Sequence, residues 1–385
     1  MGNATRSSSE VYTSDSEKGF AINHSTPPEL DAGAKFVLVS RGPGWAKYYV
    51  GPLQFAICFG TVIGGPLVGG KSLKFIYQLY YPEGSMKLYQ FIIICGAITL
   101  ILAQLPSFHS LRHVNMISLI LSVLYATCVT VGSIYIGHSK YARPRHYSVR
   151  GSDADQLFGV FNGISIIATA YASGIIPEIQ ATLAPPVKGK MLKGLCVCYS
   201  VIATTYFSVA ISGYWAFGNE SGASVLSNFL SETKKPLLPK WFFLMTNIFI
   251  LLQVMALTAV YLQPTNEIFE ATFGDPKMGQ FSMRNVVPRV VLRSVAVAAA
   301  TALAAMLPFF PDIMALFGAF GCIPLDFILP MIFYNMTFKP SKYTIMFWVN
   351  TLIAGASSIL VVIGGIASIR QIVLDAKTYN LFSDM

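Results

Sequence analysis

The chain has 385 residues, of which 54% are hydrophobic and only 12% charged, and its mean hydropathy is +0.57. So few charges cannot solvate the surface of a soluble protein of this size, which excludes a soluble enzyme and implies a polytopic membrane protein. The net charge of +9 does not point to nucleic acid, because the 27 basic residues are scattered over short loops, where lysines and arginines beside anionic lipid account for them.

Residues 1 to about 34 are rich in Ser, Thr, Glu and Pro and carry neither apolar periodicity nor the apolar core of a signal peptide. With the short segment up to residue 40 they read as a disordered cytosolic tail, leaving 41–385 as one transmembrane domain. Runs long enough to cross ~30 Å of hydrocarbon predict nine spans, at about 48–79, 88–105, 114–137, 157–177, 192–217, 241–262, 290–310, 313–335 and 343–368. All six cysteines (Cys58, Cys95, Cys128, Cys196, Cys198 and Cys322) fall in these runs and read as small buried hydrophobes rather than a disulfide framework. Cys196-Val-Cys198 lacks the spacer and the second ligand pair of a metal site, so no metal or organic cofactor is expected.

The first span contains Gly60, Gly64, Gly65 and Gly69, small residues at helical spacing that let helices approach closely, and this face is assigned to packing. The loop 138–156, with Lys140, Arg143, Arg145 and Arg150 against Asp153 and Asp155, reads as solvated.

The fourth span places Ser173, Gly174, Pro177 and Glu178 where its helix should continue. Gly174 has no β-carbon to restrict the backbone, and Pro177 removes a donor and clashes with the preceding turn, so the helix is expected to break there. Irregular backbone at membrane depth survives only when buried in protein or lining a watery cavity. A solute site and a plain proline kink at a helix end both fit this stretch.

Tyr214, Trp215 and Trp241 stand where an interfacial aromatic belt belongs. The sixth span carries Thr246, Asn247, Gln253 and Thr258, which either bond between helices or line a path. In the eighth span Asp326 lies between Pro324 and Pro330, deep in an apolar run. A carboxylate near the centre of a span costs roughly 2.5–3.5 kcal/mol on insertion scales, so it either carries a function or caps a break made by Pro324. Lysines and arginines divide nearly evenly between the two sides, so the positive-inside rule orients the chain only weakly.

Four stretches taken together carry a resemblance: Pro106-Ser107-Phe108-His109-Ser110-Leu111-Arg112-His113, Ile176-Pro177-Glu178-Ile179-Gln180-Ala181-Thr182-Leu183, Ser212-Gly213-Tyr214-Trp215-Ala216-Phe217-Gly218-Asn219 and Ile323-Pro324-Leu325-Asp326-Phe327-Ile328-Leu329-Pro330. In this order they resemble the amino acid/auxin permease family, and within it the plant GABA transporters, from about Gly42 to the C-terminus. The resemblance implies an all-α transmembrane secondary transporter with a five-plus-five inverted repeat. It also implies import of amino acids driven by the proton gradient, most of all GABA or related amino acids, at the plasma membrane, with protons and the lipid bilayer as the other partners.

One departure accompanies the match. Gly33-Ala34-Lys35-Phe36-Val37-Leu38-Val39-Ser40 resembles the segment just before the family's first span, and Arg41-Gly42-Pro43-Gly44-Trp45 the one just before its third. Nine spans are thus predicted where the family has eleven, an excision of about 65–70 residues if two ~20-residue helices and their flanks are gone. Removing two spans keeps the tail on its side of the membrane. In this fold the first span is the broken partner of the helix around Gly174 and forms half of the substrate and ion cradle. The implied substrate site is Ser173 and Gly174, through unpaired backbone groups, with Phe55 and Asn247 on flanking spans; Glu178 and Asp326 are the implied proton-coupling or gating groups. The alternative is a truncated, non-transporting isoform that acts as a binding or regulatory membrane protein.

Overall fold

A computed structural model describes residues 46–104, 112–139, 145–148, 151–171, 176, 189–222, 224–231, 235–273, 282–306 and 310–376. Among these residues the protein is helical throughout, with no named strand. The helices are α1 (Gly51–Tyr80, entered through a π-helical turn, Ala46–Val50), α2 (Leu88–Leu102), α3 (Arg112–His138), α4 (Asp153–Tyr171) and α5 (Lys190–Phe217). They continue as α6 (Lys240–Phe273), α7 (Met283–Met306), α8 (Phe310–Phe317), two π-helical turns (Gly318–Cys322 and Pro324–Ile328), α9 (Leu329–Phe338) and α10 (Ile345–Ala376).

Local chemistry sets several of these boundaries. Pro52 occupies the first turn of α1, where its missing N–H costs nothing. At the start of α4 the Ser152 N–H donates to Asp155 Oδ2 (3.1 Å) and the Asp155 N–H to Ser152 Oγ (3.4 Å), a reciprocal cap. Helix α5 lies between Gly189 and Gly218, both at positive φ, 84° and 54°.

Among the described residues seven segments are long and apolar enough to span a bilayer: Tyr48–Tyr80, His113–His138, Lys190–Glu220, Lys240–Thr265, Met283–Met306, Ile313–Phe338 and Ile345–Asp375. They coincide with seven of the nine predicted spans. The second predicted span is a shorter apolar helix, Leu88–Leu102, and the fourth, α4, is described as far as Tyr171.

Side chains are sorted as lipid demands. Large apolar residues such as Ile101, Leu192, Val197 and Leu352 point outward, while Thr246, Asn247, Gln253, Thr258 and Arg293 are buried between helices. Hydrocarbon removes the drive to bury leucine, so close approach and hydrogen bonding decide what goes inside. Helix α1 is the hub, packed on α2, α6 and α7. Its glycines make this possible: a β-carbon on Gly65 would stand 1.9 Å from Thr258 Oγ1, and one on Gly70 would stand 3.0 Å from the Ile92 nitrogen. Val62, Ile63 and Leu67 then close a core with Ile92, Leu262, Val297 and Ala300.

A second group consists of α4, α8, the two π-helical turns, α9 and α10. Gly318 is pressed on Ser165 O and Gly365 on the Phe320 ring, and Ser368 Oγ donates to Asn162 Oδ1 at 3.1 Å. The main packing partner of α5 is α3, and no residue in its most apolar stretch is buried.

Several expectations change here. Cys58, Cys95, Cys128 and Cys322 are buried, but Cys196 and Cys198 are exposed, because they lie on the uncovered face of α5. The loop 138–156 is not simply solvated. Arg145 donates to Gly137 O and stands 4.6 Å over the Trp215 ring, while Asp155 pairs with Arg370. The polar residues of α6 bond mostly within their own helix: Thr246 Oγ1 donates to Phe242 O and Thr258 Oγ1 to Val254 O. The tail 1–40 lies outside the described residues.

Candidate functional site

Asp326 stands on the second of the two π-helical turns. Pro324 has no N–H to donate and its ring would clash with the carbonyl four residues earlier, so a regular α-turn is not available there. The chain widens instead of breaking: the Ile323 N–H bonds Gly318 O, and the Leu329 N–H bonds Pro324 O, each five residues back. There is accordingly no break at Pro324 for Asp326 to cap. Its Oδ2 is buried without a hydrogen-bond partner among the described residues. A carboxylate oxygen left in that state is costly, so it is not the satisfied structural group that a capping role requires.

Helices α9 and α10 pack on this turn, and α1, α4 and α8 on the π-helical turn before it. Cys322, one turn earlier and 1% exposed, lies within electrostatic reach of both Asp326 and the fully buried Cys58 of α1. Ile57 of α1 touches the adjoining turn, since a β-carbon on Gly321 would meet Ile57 Cγ1 at 3.1 Å. On α5 the Tyr199 hydroxyl donates to Tyr171 O of α4 at 3.4 Å. The Tyr171 ring is centred 6.5 Å from Tyr199 and 6.4 Å from Tyr206.

Phe55 is half-buried on α1, one turn before Cys58, and its ring is stacked on Phe59 with centroids 5.7 Å apart. Asn247 is 0% exposed in α6, whose main packing is against α1, α3 and α7, and its Nδ2 donates to Phe243 O at 2.8 Å. Its Oδ1 has no hydrogen-bond partner among the described residues. Ser173, Gly174 and Glu178, with the expected break around them, lie outside the described residues.

Tyr199 and Tyr206 are seven residues apart, hence on one face of a helix, and lie inside a span rather than at its ends. Arg293 of α7 is 3% exposed and its Nη1 donates to Ala103 O at 2.9 Å, beyond the end of α2.

Comparison with known proteins bears on what such a bundle does. The profile of the family described as "Transmembrane amino acid transporter protein" matches residues 36–371. The chain is 52% identical over 344 residues to GABA transporter 1 of Arabidopsis thaliana, an alignment that takes in 89% of this chain and 76% of that relative. It is 30% identical over 342 residues to Lysine histidine transporter-like 1 of the same plant, covering 87% of this chain and 73% of the relative. These relatives are transporters and not enzymes, and the long apolar helices make the protein an integral, multi-pass one. The chain belongs to the transmembrane amino acid transporter family, the amino acid/auxin permeases.

Proposed function

We propose that this protein is a proton-coupled symporter that carries GABA or a related amino acid across the plasma membrane. Its fold in this reading is the five-plus-five inverted repeat, reduced from eleven spans to nine over residues 41–385. The observation that supports it most is the carboxylate of Asp326, buried on a widened turn with Oδ2 unpartnered, in a chain 52% identical to GABA transporter 1. A proton taken up there removes the charge, and with it most of the cost of holding the group in hydrocarbon, so proton binding and the conformation of the turn are linked.

In this reading Ser173 and Gly174 offer free backbone groups to the amino acid, Glu178 joins Asp326 as a proton-coupling or gating group, and Phe55 and Asn247 flank the path. The backbone part has its own check. Amide exchange at 173–176 faster than through Leu157–Tyr171 supports a broken helix, and uniformly slow exchange from Leu157 through Thr182 rules it out.

The deciding experiment is uptake of radiolabelled GABA and a panel of other amino acids by cells expressing this chain. A version with two further spans inserted at Ser40–Arg41 is tested beside it, with surface amount and external pH controlled. Uptake by the present chain that rises as external pH falls establishes the proposal. Absence of uptake by this chain, with uptake by the longer version, rejects it.

A further inference from the structure

Where α5 passes into the connection to α6, the chain encloses a cavity of about 170 Å³. Its floor is apolar and buried, made by Ile136 of α3 with Ala216 and Phe217 of α5. The rest of the lining comes from the connection itself. A 3-10 turn, Gly218–Glu220, leaves α5 with the Asn219 N–H bonded to His146 O at 2.9 Å, and it brings the exposed residue Glu220 to the cavity. Leu230 and Leu237 complete the apolar part, fixed where Leu230 pairs antiparallel with Pro236 and the Leu237 N–H bonds Phe229 O at 2.8 Å. The lining is thus tied down by main-chain hydrogen bonds before any ligand arrives.

The polar atoms around this cavity accept hydrogen bonds more than they donate them. Asn228 is engaged within the connection: its Oδ1 accepts from the Gly222 N–H at 2.8 Å and its Nδ2 donates to Glu220 O at 2.6 Å. Ser227 gives its hydroxyl hydrogen to Ser224 O at 2.6 Å, which leaves its Oγ with lone pairs only. The Glu220 carboxylate is an acceptor at every position. One N–H of Asn228 is the donor that remains. An anion finds no cation here, because the described lysines of this connection, Lys235 and Lys240, do not line the cavity. A hard metal ion takes six or more oxygens, which one carboxylate and one hydroxyl among leucine and phenylalanine do not supply. An organic ammonium matches both halves of the lining: its N–H groups meet the acceptors and its alkyl chain lies on the apolar floor. The volume is below the roughly 300–1,000 Å³ of pockets for drug-sized molecules, so the ligand is small.

We propose that this cavity binds the ammonium end of a small aliphatic amine or ω-amino acid, with the Glu220 carboxylate as its counter-ion and Ser227 Oγ as a second acceptor. A carboxylate at the other end of such a ligand points away from Glu220, towards water. The site lies on α3, α5 and their connection to α6, elements other than the π-helical turn that carries Asp326. It deepens the transport reading by giving the amino acid a holding place before translocation, and it rests on that reading for this use alone; the binding itself is a property of the folded chain.

The test is calorimetric titration of the purified full chain with butylammonium, GABA and butyrate in turn. Butylammonium and GABA are expected to bind in the millimolar range and butyrate not to bind. Glu220→Gln keeps the shape of the side chain and removes its charge, and it is expected to weaken butylammonium binding about tenfold or more, the effect of losing a charged hydrogen bond. Ser227→Ala is expected to weaken it severalfold, and thermal unfolding midpoints confirm that both variants are folded. Absence of saturable butylammonium binding, equal binding of butyrate, or unchanged binding in folded Glu220→Gln overturns the proposal. Uptake is measured separately: butylammonium binding by a chain that carries no amino acid rejects the transport reading and leaves the site standing, whereas uptake without butylammonium binding does the reverse.

Discussion

Arg370 Nη2, in the last turns of α10, lies 2.5 Å from Oδ1 of Asp155 in the first turn of α4, two residues 215 apart in sequence. The guanidinium also stands 5.3 Å over the Phe158 ring. Asp155 thus closes the reciprocal cap with Ser152 through Oδ2 while its Oδ1 ties α4 to α10.

Arg370, followed by the Ser152 hydrogen bonds, holds the Asp155 carboxyl at about 2, below its ordinary 3.8. A carboxyl whose folded value is depressed contributes stability above its unfolded value and loses it as pH falls from 3.8 through about 2. Both side chains are well exposed, 33% and 44%, so the effect is small. Arg370→Gln is expected to lower Tm in detergent by no more than about 2 °C near neutral pH. The gap should shrink as pH is taken from 4 towards 2, which scanning calorimetry over that range checks.

The contact between Gly65 and Thr258 predicts coupling. Gly65→Ala drives a methyl into Oγ1 and Cγ2 of Thr258 and is expected to cost about 1–3 kcal/mol through overpacking. Thr258→Ala removes Oγ1 and Cγ2 and leaves only Cβ, at 3.0 Å, so the double variant should be more stable than the sum of the single changes by about 0.5–3 kcal/mol. Chemical denaturation of the four proteins in detergent measures this, and strict additivity would sink it.

Gly318 and Gly159 make a matched contrast. A β-carbon on Gly318 meets Ser165 O, a main-chain atom that cannot step aside, at 2.0 Å, whereas one on Gly159 meets nothing within 4 Å. Gly318→Ala should therefore separate the π-helical turns from α4 and cut the yield of folded protein, while Gly159→Ala leaves stability unchanged or raises it by up to about 1 kcal/mol through helix propensity. Size-exclusion profiles and thermal unfolding distinguish the two.

Arg293→Met removes the donor to Ala103 O between α7 and α2 while preserving much of the side chain's volume. Loss of a charged hydrogen bond is expected to cost about 1.5–3 kcal/mol. Lysine should not rescue it, since a compact ammonium on a shorter reach does not reproduce the fork of a guanidinium. Unfolding midpoints of the Met and Lys variants provide the comparison.

Asp326→Asn keeps the shape of the side chain and abolishes its titration. Uptake by this variant is expected to be flat with external pH and about tenfold or more slower at acidic pH. Retention of the full pH dependence would rule out Asp326 as the coupling carboxylate.

Much of this protein follows from local sequence. Hydropathy alone marked the bilayer as solvent and located the long helices, because each span must satisfy its own backbone and this requirement acts within about 20 residues. Glycines at helical spacing in the first span announced a packing face, and Asp326 announced itself by its cost in hydrocarbon. Neighbours brought together from distant segments could not be read in that way. Whether Pro324 breaks or widens its helix, whether Arg293 is a loop cation or a buried donor, and whether Cys196 is covered all depend on what another helix places beside them. The same holds for Asn162 and Ser368, 206 positions apart. Composition and periodicity are sums over adjacent residues, while an orphaned carboxylate is a fact of packing, decided only when α9, α10 and the preceding π-helical turn close around one widened turn.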